Sequence, residues 1–458
     1  MKERNAVIGF VSLGCPKNQV DTEVMLAKAA QAGYPITPEE SEADIVIINT
    51  CAFIESAKKE AIDNILDIAW LKEHAHCKGI IVTGCLPQRY GEQVLRELPE
   101  VDAILGVGSI DNIVECIESV EAKLPYSCRA EVSEMCLGGD RLLTTPDYFA
   151  YLKISEGCNN RCAYCAIPGI RGRLHSRPIE DLVKEAKDLE ALGCKELTLI
   201  AQDTTVYGLD LYGEMRLVPL IQAICKETTI PWIRLLYCYP DKISDALIAE
   251  FQNNPRLVPY IDLPVQHLSD AVLSRMNRHG DYAVICDAVK RLRTVPNMVI
   301  RTTFLVGFPG ETEEDFRLLC ERAKELAFDH AGVFPYSREE DTPAYDMPDQ
   351  IDEQTKQDRA DILMREQAET SAALLAKTVG QTLTVLCEGY DPVAECFVGR
   401  SARDAYEIDG KVMFTARGSH KPEEGEFVRV RIEETLDYDL VGVTEDGAKE
   451  MPWLQKKR

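Results

Sequence analysis

The sequence predicts a multidomain α/β protein. It has an open parallel α/β sheet at the N-terminus, a partial (β/α) barrel in the centre and a small antiparallel β-barrel at the end. Three observations predict this. The chain has 458 residues, too many for one ordinary hydrophobic core. Short apolar runs alternate with helical segments in two separate series, the pattern of parallel strands covered by helices. Beyond Gln381 the pattern changes to short strands punctuated by glycine, which suits a small barrel.

The first series occupies residues 1–125. Strands are expected at "AVIGFVSLGC", "ADIVIINTC", "KGIIVTGC" and "VDAILGVG", and helices at "QVDTEVMLAKAAQAGY", "SAKKEAIDNILDIAWLKEH", "RYGEQVLREL" and "SIDNIVECIESV". Three of the four strands end in a cysteine: Cys15, Cys51 and Cys85. In an open parallel sheet, ligands bind beyond the carboxyl ends of the strands. Three thiols distant in sequence are therefore expected to meet at one edge as a metal site. A single such cysteine would read as a buried residue starting a loop; the recurrence in successive βα units favours the shared site.

Residues 126–147 lack steady periodicity and are read as a linker. It carries Cys128 and Cys136, for which a metal role is the lesser reading. The second series, residues 148–378, has strands at "YLKISEG", "ELTLIAQD", "WIRLLYCY", "YIDLPVQ", "MVIRTTFLVGF" and "HAGVFPYS". Polar residues gather at the strand ends: Gln202, Asp203, Tyr239, Gln266, His267, Tyr336 and Arg338. Active sites of such barrels lie at that face. A long charged helix, "DEQTKQDRADILMREQAETSAALLAKTVG", precedes the final barrel of residues 379–447, with strands in "TLTVLCEGY", "ECFVGRS", "YEIDGKVMFT" and "EFVRVRIEETLDYDLVGVT".

Within "SEGCNNRCAYCAIPGIRGR", Cys158, Cys162 and Cys165 have C-x3-C-x2-C spacing. Structural zinc needs a closed set of four ligands; His175 is at hand, but the spacing is not that of a zinc finger. Thiolates are the standard ligands of iron–sulfur clusters, and three of them leave one iron of a [4Fe–4S] cube open for chemistry. The chain has 17 cysteines. An odd number in a large chain without an evident secretory signal argues against a disulfide framework. Cys77, Cys116, Cys194, Cys225, Cys286, Cys320, Cys387 and Cys396 read as core residues.

The C-x3-C-x2-C motif, with Tyr164 before its last cysteine at the end of the first barrel strand, resembles the radical S-adenosylmethionine superfamily. With "SLGCPKN", "NTCAFIESAKKE" and "GCLPQRY" upstream and a TRAM-like barrel downstream, the chain resembles the methylthiotransferase family over nearly its whole length. "AQDTTVYG", "YIDLPVQHLSDAVLSRMNR" and "RTTFLVGFPGETEEDF" resemble the branch that modifies an aspartate of ribosomal protein S12, rather than the one that modifies a tRNA adenosine.

That resemblance implies two [4Fe–4S] clusters, one on Cys15, Cys51 and Cys85 and one on Cys158, Cys162 and Cys165. It also implies two roles for S-adenosylmethionine, as radical source and as methyl donor. Gln202, Asp203, Gly307, Gly310 and Glu311 are assigned to cofactor binding; for the glycines a tight turn is the equal alternative. No catalytic side chain is singled out. The implied partners are S12, free or in the small subunit, a low-potential electron donor and a sulfur source. A non-catalytic iron–sulfur protein is the reading from another class; open cluster sites argue against it, since electron carriers favour full cysteine ligation.

The formal net charge is −25, which opposes broad phosphate neutralisation and so direct nucleic-acid binding. Residues 381–446 carry 15 acidic side chains against seven Lys or Arg, a formal charge of −8. An acidic barrel suits a cationic ribosomal protein better than tRNA. No stretch has the ~18 apolar residues of a membrane span, and a cytoplasmic location without membrane association is expected.

Overall fold

The computed structural model describes residues 6–131, 137–418 and 420–445. The N-terminal sheet contains β1 (Ile8–Ser12), β2 (Ile36–Thr37), β3 (Ile45–Thr50), β4 (Gly79–Gly84), β5 (Ala103–Gly106) and β6 (Tyr126–Cys128). The order is β2-β1-β3-β4-β5-β6 and all pairs are parallel. The central runs IVIINT and GIIVTG are buried at every position. Helices cover both faces, so a continuous apolar run is what such a strand needs.

Two edge strands go beyond the sequence reading. β2 has only two residues, too few for a periodic signal. β6 takes up the start of the segment read as a linker, where Tyr126–Cys128 pair with Ala103–Leu105. Around "RYGEQVLREL" the chain forms two short helices, Cys85–Tyr90, which ends at the first two residues of that segment, and Gln93–Glu97.

The central domain has β7 (Phe149–Lys153), followed by the small pair β8 (Ser155–Glu156) and β9 (His175–Ser176). Then come β10 (Glu196–Ile200), β11 (Trp232–Leu235), β12 (Leu257–Asp262), β13 (Val299–Val306) and β14 (His330–Pro335). The main sheet runs β14-β13-β12-β11-β10-β7, parallel throughout and open between its ends. A partial barrel results. Its largest apolar cluster lies between the strands and the outer helices, such as Ile179–Leu192 and Leu217–Glu227, whose leucines and isoleucines recur at helical spacing on one face. The long helix Glu353–Leu375 packs on β14.

The C-terminal barrel closes through β15 (Thr382–Asp391), β16 (Cys396–Ser401), β17 (Val412–Thr415), β18 (Phe427–Thr435) and β19 (Leu440–Thr444). It is antiparallel except for one parallel pair, β17 with β19. Only the end of "YEIDGKVMFT" is strand. Residues before it turn so that Asp409 accepts from the Ala405 N–H at 2.9 Å and from the Tyr260 hydroxyl at 2.6 Å. That turn fastens the barrel to β12.

Ion pairs join the three parts. Arg89 lies 2.8 Å from Glu339, between the N-terminal and central domains. Arg141 reaches Glu23 through Nε at 3.0 Å and Glu185 at 2.8 Å. On the other side, Glu196 of β10 is held by Arg234 at 2.6 Å and by Arg400 of β16 at 2.8 Å, all three fully buried. Breaking a pair of this kind by removing one partner costs about 3–5 kcal/mol, because the other charge stays buried alone. No helix among the described residues is long and apolar enough to cross a membrane.

Candidate iron–sulfur and substrate site

Cys15 immediately precedes helix Pro16–Gln31, Cys51 follows β3 and Cys85 opens the helix after β4. The parallel sheet thus delivers all three to its carboxyl edge. Gly14 turns the chain with φ +91°; a Cβ there would lie 2.7 Å from Cys51 Cβ and 3.3 Å from its Sγ. Only glycine fits that cradle. Asn18, one turn into the helix, has its Oδ1 3.9 Å from both Cys15 Sγ and Cys85 Sγ. Its Nδ2 donates to the carbonyls of Leu13 and Thr50 at 3.0 and 2.9 Å, which fixes the strand ends around the thiols.

The second triad lies in the loop after β8. Cys158 and Cys162 are buried and Cys165 is partly exposed. Polar donors surround the sulfurs: the Asn160 N–H is 3.4 Å from Cys158 Sγ, the Tyr239 hydroxyl 3.4 Å from Cys162 Sγ, and Arg278 Nη1 3.7 Å from the same sulfur. Asn160 also donates to Asp203 at 2.7 Å. The loop is held from the barrel side by the Ala163 N–H on the Met276 carbonyl, 2.8 Å.

Burial pushes the Cys51 thiol up to about 12, with neighbouring Cys85 and Cys15 adding to it. Burial likewise raises Cys158 to about 11 and Cys165 to about 12. Bare thiolates are therefore disfavoured at these three positions, where a bound metal centre would supply the positive charge that deprotonates its ligands. Among the described residues no three His, Cys, Asp or Glu converge as ligands of a single ion. His175, the alternative zinc ligand, is exposed and lines a separate groove beside helix Ile179–Leu192. That groove contains none of the six cysteines.

A buried network joins the triads. Arg171, just beyond the Cys158–Cys165 loop, donates to Asn18 Oδ1, to Asp21 at 3.2 Å and to Glu156 at 2.8 Å. Lys153 of β7 pairs with Asp21 and, at 3.0 Å, with Glu156. Burial opposes ionisation of Glu156, but the charges of Arg171 and Lys153 outweigh it and hold the carboxyl at about 2. Asp21 and Glu156 are thus shared carboxylates between two domains. Sequence reading missed Asn18, Asp21, Lys153, Glu156, Arg171 and Arg278. The available signal was a charged pair, Lys153 and Glu156, inside an otherwise apolar strand region.

The residues assigned to S-adenosylmethionine divide. Gln202, at the end of β10, donates to Glu156, and its Oε1 is a buried acceptor without a partner. Asp203 caps the turn at Thr204–Val206, accepting from the Thr205 N–H at 3.2 Å, and steadies Asn160. Gly307 and Gly310 have φ +72° and +75°, and a Cβ on Gly307 would meet Lys356 Cγ at 2.3 Å. Glu311 accepts from the Gly307 and Phe308 N–H groups at 2.7 and 3.2 Å and pairs with Arg359 at 2.9 Å. These three residues build a tight turn packed against helix Glu353–Leu375.

Among the described residues every cysteine is a free thiol. Cys77, Cys116, Cys194 and Cys387 are buried in apolar clusters, and Cys225, Cys286 and Cys320 pack against one; Cys396 lies half-buried on β16. Cys128 ends β6, near Cys116. Cys136 lies outside the described residues.

Residues 7–106 match the family described as uncharacterized protein family UPF0004, residues 152–323 the radical SAM superfamily, and residues 379–444 the TRAM domain. The chain is 49% identical over 442 residues to the ribosomal protein uS12 methylthiotransferase RimO of Desulforamulus reducens, covering 95% of this chain and 98% of that one. It is 47% identical over 447 residues to the protein of the same name from Geobacter sulfurreducens, covering 96% and 99%. Among solved structures, the radical S-adenosylmethionine methyltransferase TsrM from Kitasatospora setae shares the fold at TM-score 0.55 and 13% identity, over 84% of this chain and 79% of that one.

Proposed function

The chain belongs to the family of ribosomal protein uS12 methylthiotransferases, and on that premise we propose that it replaces a hydrogen on the β-carbon of one uS12 aspartate with a methylthio group. The observation that carries this reading is the pairing of two cysteine triads across one domain junction, with Arg171 reaching from one to the residue beside the other. When bound, two [4Fe–4S] clusters and S-adenosylmethionine supply the radical that removes hydrogen and the sulfur and methyl groups that replace it.

The protein's own residues bind, orient and shield. Cys158, Cys162 and Cys165 hold one cluster and Cys15, Cys51 and Cys85 the other. Arg278 and the Tyr239 hydroxyl place positive charge and a hydrogen-bond donor beside Cys162; such second-shell groups tune a cluster's potential. Gln202 Oε1 is a free acceptor at the barrel mouth for the amino group of S-adenosylmethionine. The buried Asp21–Lys153–Glu156–Arg171 network keeps the two cysteine loops in register and fills the junction with neutralised charge.

The acidic C-terminal barrel attracts the basic uS12, a long-range effect that weakens with salt. A low-potential electron donor and a sulfur source complete the reaction in the cytoplasm. Mass spectrometry of uS12 from a strain lacking this gene tests the reading: the protein should be lighter by one methylthio group less one hydrogen, and the gene should restore it. An unchanged uS12 mass refutes it.

A further inference from the structure

Lys17 is the second residue of the first helix, two positions after Cys15. Its side chain is only 7% exposed, and its ammonium sits 3.3 Å over the ring of Tyr237. The other buried cations at the junction are compensated. Lys153 and Arg171 share Asp21 and Glu156. Arg278 donates to Cys162 Sγ and to the Pro264 carbonyl. Among the described residues Lys17 makes no ion pair with a carboxylate; the charges of Cys15, Glu156 and Asp262 act on it without a hydrogen bond. An ammonium taken out of water without an anion is costly, and an aromatic face returns only part of that cost.

The position is as telling as the missing partner. Tyr237 has φ +61°, a left-handed conformation unfavourable for a bulky aromatic residue. It is imposed from both sides: the Tyr237 N–H donates to Asp262 at 3.0 Å, and its carbonyl accepts from the Thr204 N–H at 2.9 Å. Strain fixed by the surroundings collects at functional sites. Two residues on, the Tyr239 hydroxyl lies 3.4 Å from Cys162 Sγ. Lys17 therefore stands between the triads: Cys15 is its neighbour in sequence, and the segment beneath it reaches Cys162.

We propose that Lys17 is the specificity-determining residue that binds the side-chain carboxylate of the target aspartate. This rests on an aspartate of uS12 being the acceptor. The carboxylate is bonded to the β-carbon that reacts, so anchoring it on Lys17 sets that carbon in the space between the two metal-binding loops. A single ammonium on a flexible stem suits one carboxylate approaching end-on. An adenine base brings no anion to this point and would leave the lysine without an anion in contact.

The test uses the anaerobic, cluster-loaded, full-length protein and two purified probes: uS12 and a form with its target aspartate changed to asparagine. Calorimetry measures binding and mass spectrometry measures methylthiolation. The protein should bind the aspartate form at least about thirtyfold more tightly than the asparagine form, the loss expected when one member of a buried charge pair is neutralised. Lys17→Met at equal iron content should reduce that preference to near one. Lys17→Arg, which keeps the charge, should retain most of it. Equal binding of the two forms by the unmodified protein overturns the proposal without any variant. So does a Lys17→Met protein that keeps the preference, or one that weakens both forms alike. If Lys17→Met fails to load iron, Lys17→Gln carries the same comparison. Failure of the unmodified protein to methylthiolate uS12 would instead remove the acceptor assignment, whatever Lys17 does.

Discussion

Arg171 donates a hydrogen bond to Asn18, whose Oδ1 lies 3.9 Å from the sulfurs of both Cys15 and Cys85. A residue of the barrel's cysteine loop thus reaches the centre of the N-terminal triad. Arg171→Gln removes the cation shared by Asp21 and Glu156 and should destabilise the protein by about 3–5 kcal/mol. Arg171→Lys keeps the charge without the fork that reaches three partners at once, and should recover part of the loss. Electron paramagnetic resonance should show an altered N-terminal cluster in both variants and an unaltered barrel cluster. An unchanged spectrum in Arg171→Gln means that the arginine only joins domains.

Cys162→Ala should stop reductive cleavage of S-adenosylmethionine. Its sulfur is the one contacted by both Arg278 and Tyr239. The measurement is 5′-deoxyadenosine from reduced protein. Normal yield would rule out the barrel triad as the ligand set.

Replacing Cys15, Cys51 and Cys85 together by Ala should remove about half of the bound iron, as expected for two cubane clusters. Deoxyadenosine should still form, and no methylthio product should appear. Iron content and deoxyadenosine are measured on the same sample. Full iron content would return these three cysteines to the role of core residues.

The two triads were legible in the sequence for different reasons. Cys158, Cys162 and Cys165 are close in the chain, so spacing alone announces them. Cys15, Cys51 and Cys85 are not, but each ends an apolar strand, and parallel strands carry their ends to one edge. What joins the triads could not be read. Asp21 meets Lys153 across 132 positions and Arg171 across 150, and no local periodicity encodes a pairing at that distance. Lys17 was hidden likewise: its meaning lies in the carboxylate it lacks, which only packing reveals. Gly307 and Gly310 were legible as glycines required by a turn, but that Gly307 presses on Lys356 was not. The short edge strand Tyr126–Cys128 escaped because three residues beside a loop carry no strand signal.

Acid should loosen the C-terminal barrel from the central domain. Burial raises the Glu196 carboxyl, but the charges of Arg234 and Arg400 outweigh it and hold it below its usual value. A depressed carboxylate stabilises the fold fully above its unfolded value, about 4.3, and that contribution is lost as pH falls through the folded value. Stability should therefore be level on this account from pH 7 to about 5 and decline below about 4. Glu196→Gln should lose about 3 kcal/mol at pH 7 and show a flatter acid limb. Thermal melts across that range check both; an identical acid limb in Glu196→Gln contradicts the assignment.

The most direct measurement offers the reduced, cluster-loaded protein a choice of acceptor. Purified uS12 and unmodified tRNA are supplied together with S-adenosylmethionine and sulfide, and both are analysed by mass spectrometry. The account predicts that uS12 gains one methylthio group in place of hydrogen, with the modified residue mapped to an aspartate, while tRNA stays unchanged. Methylthiolation of a tRNA adenosine with uS12 untouched would contradict it.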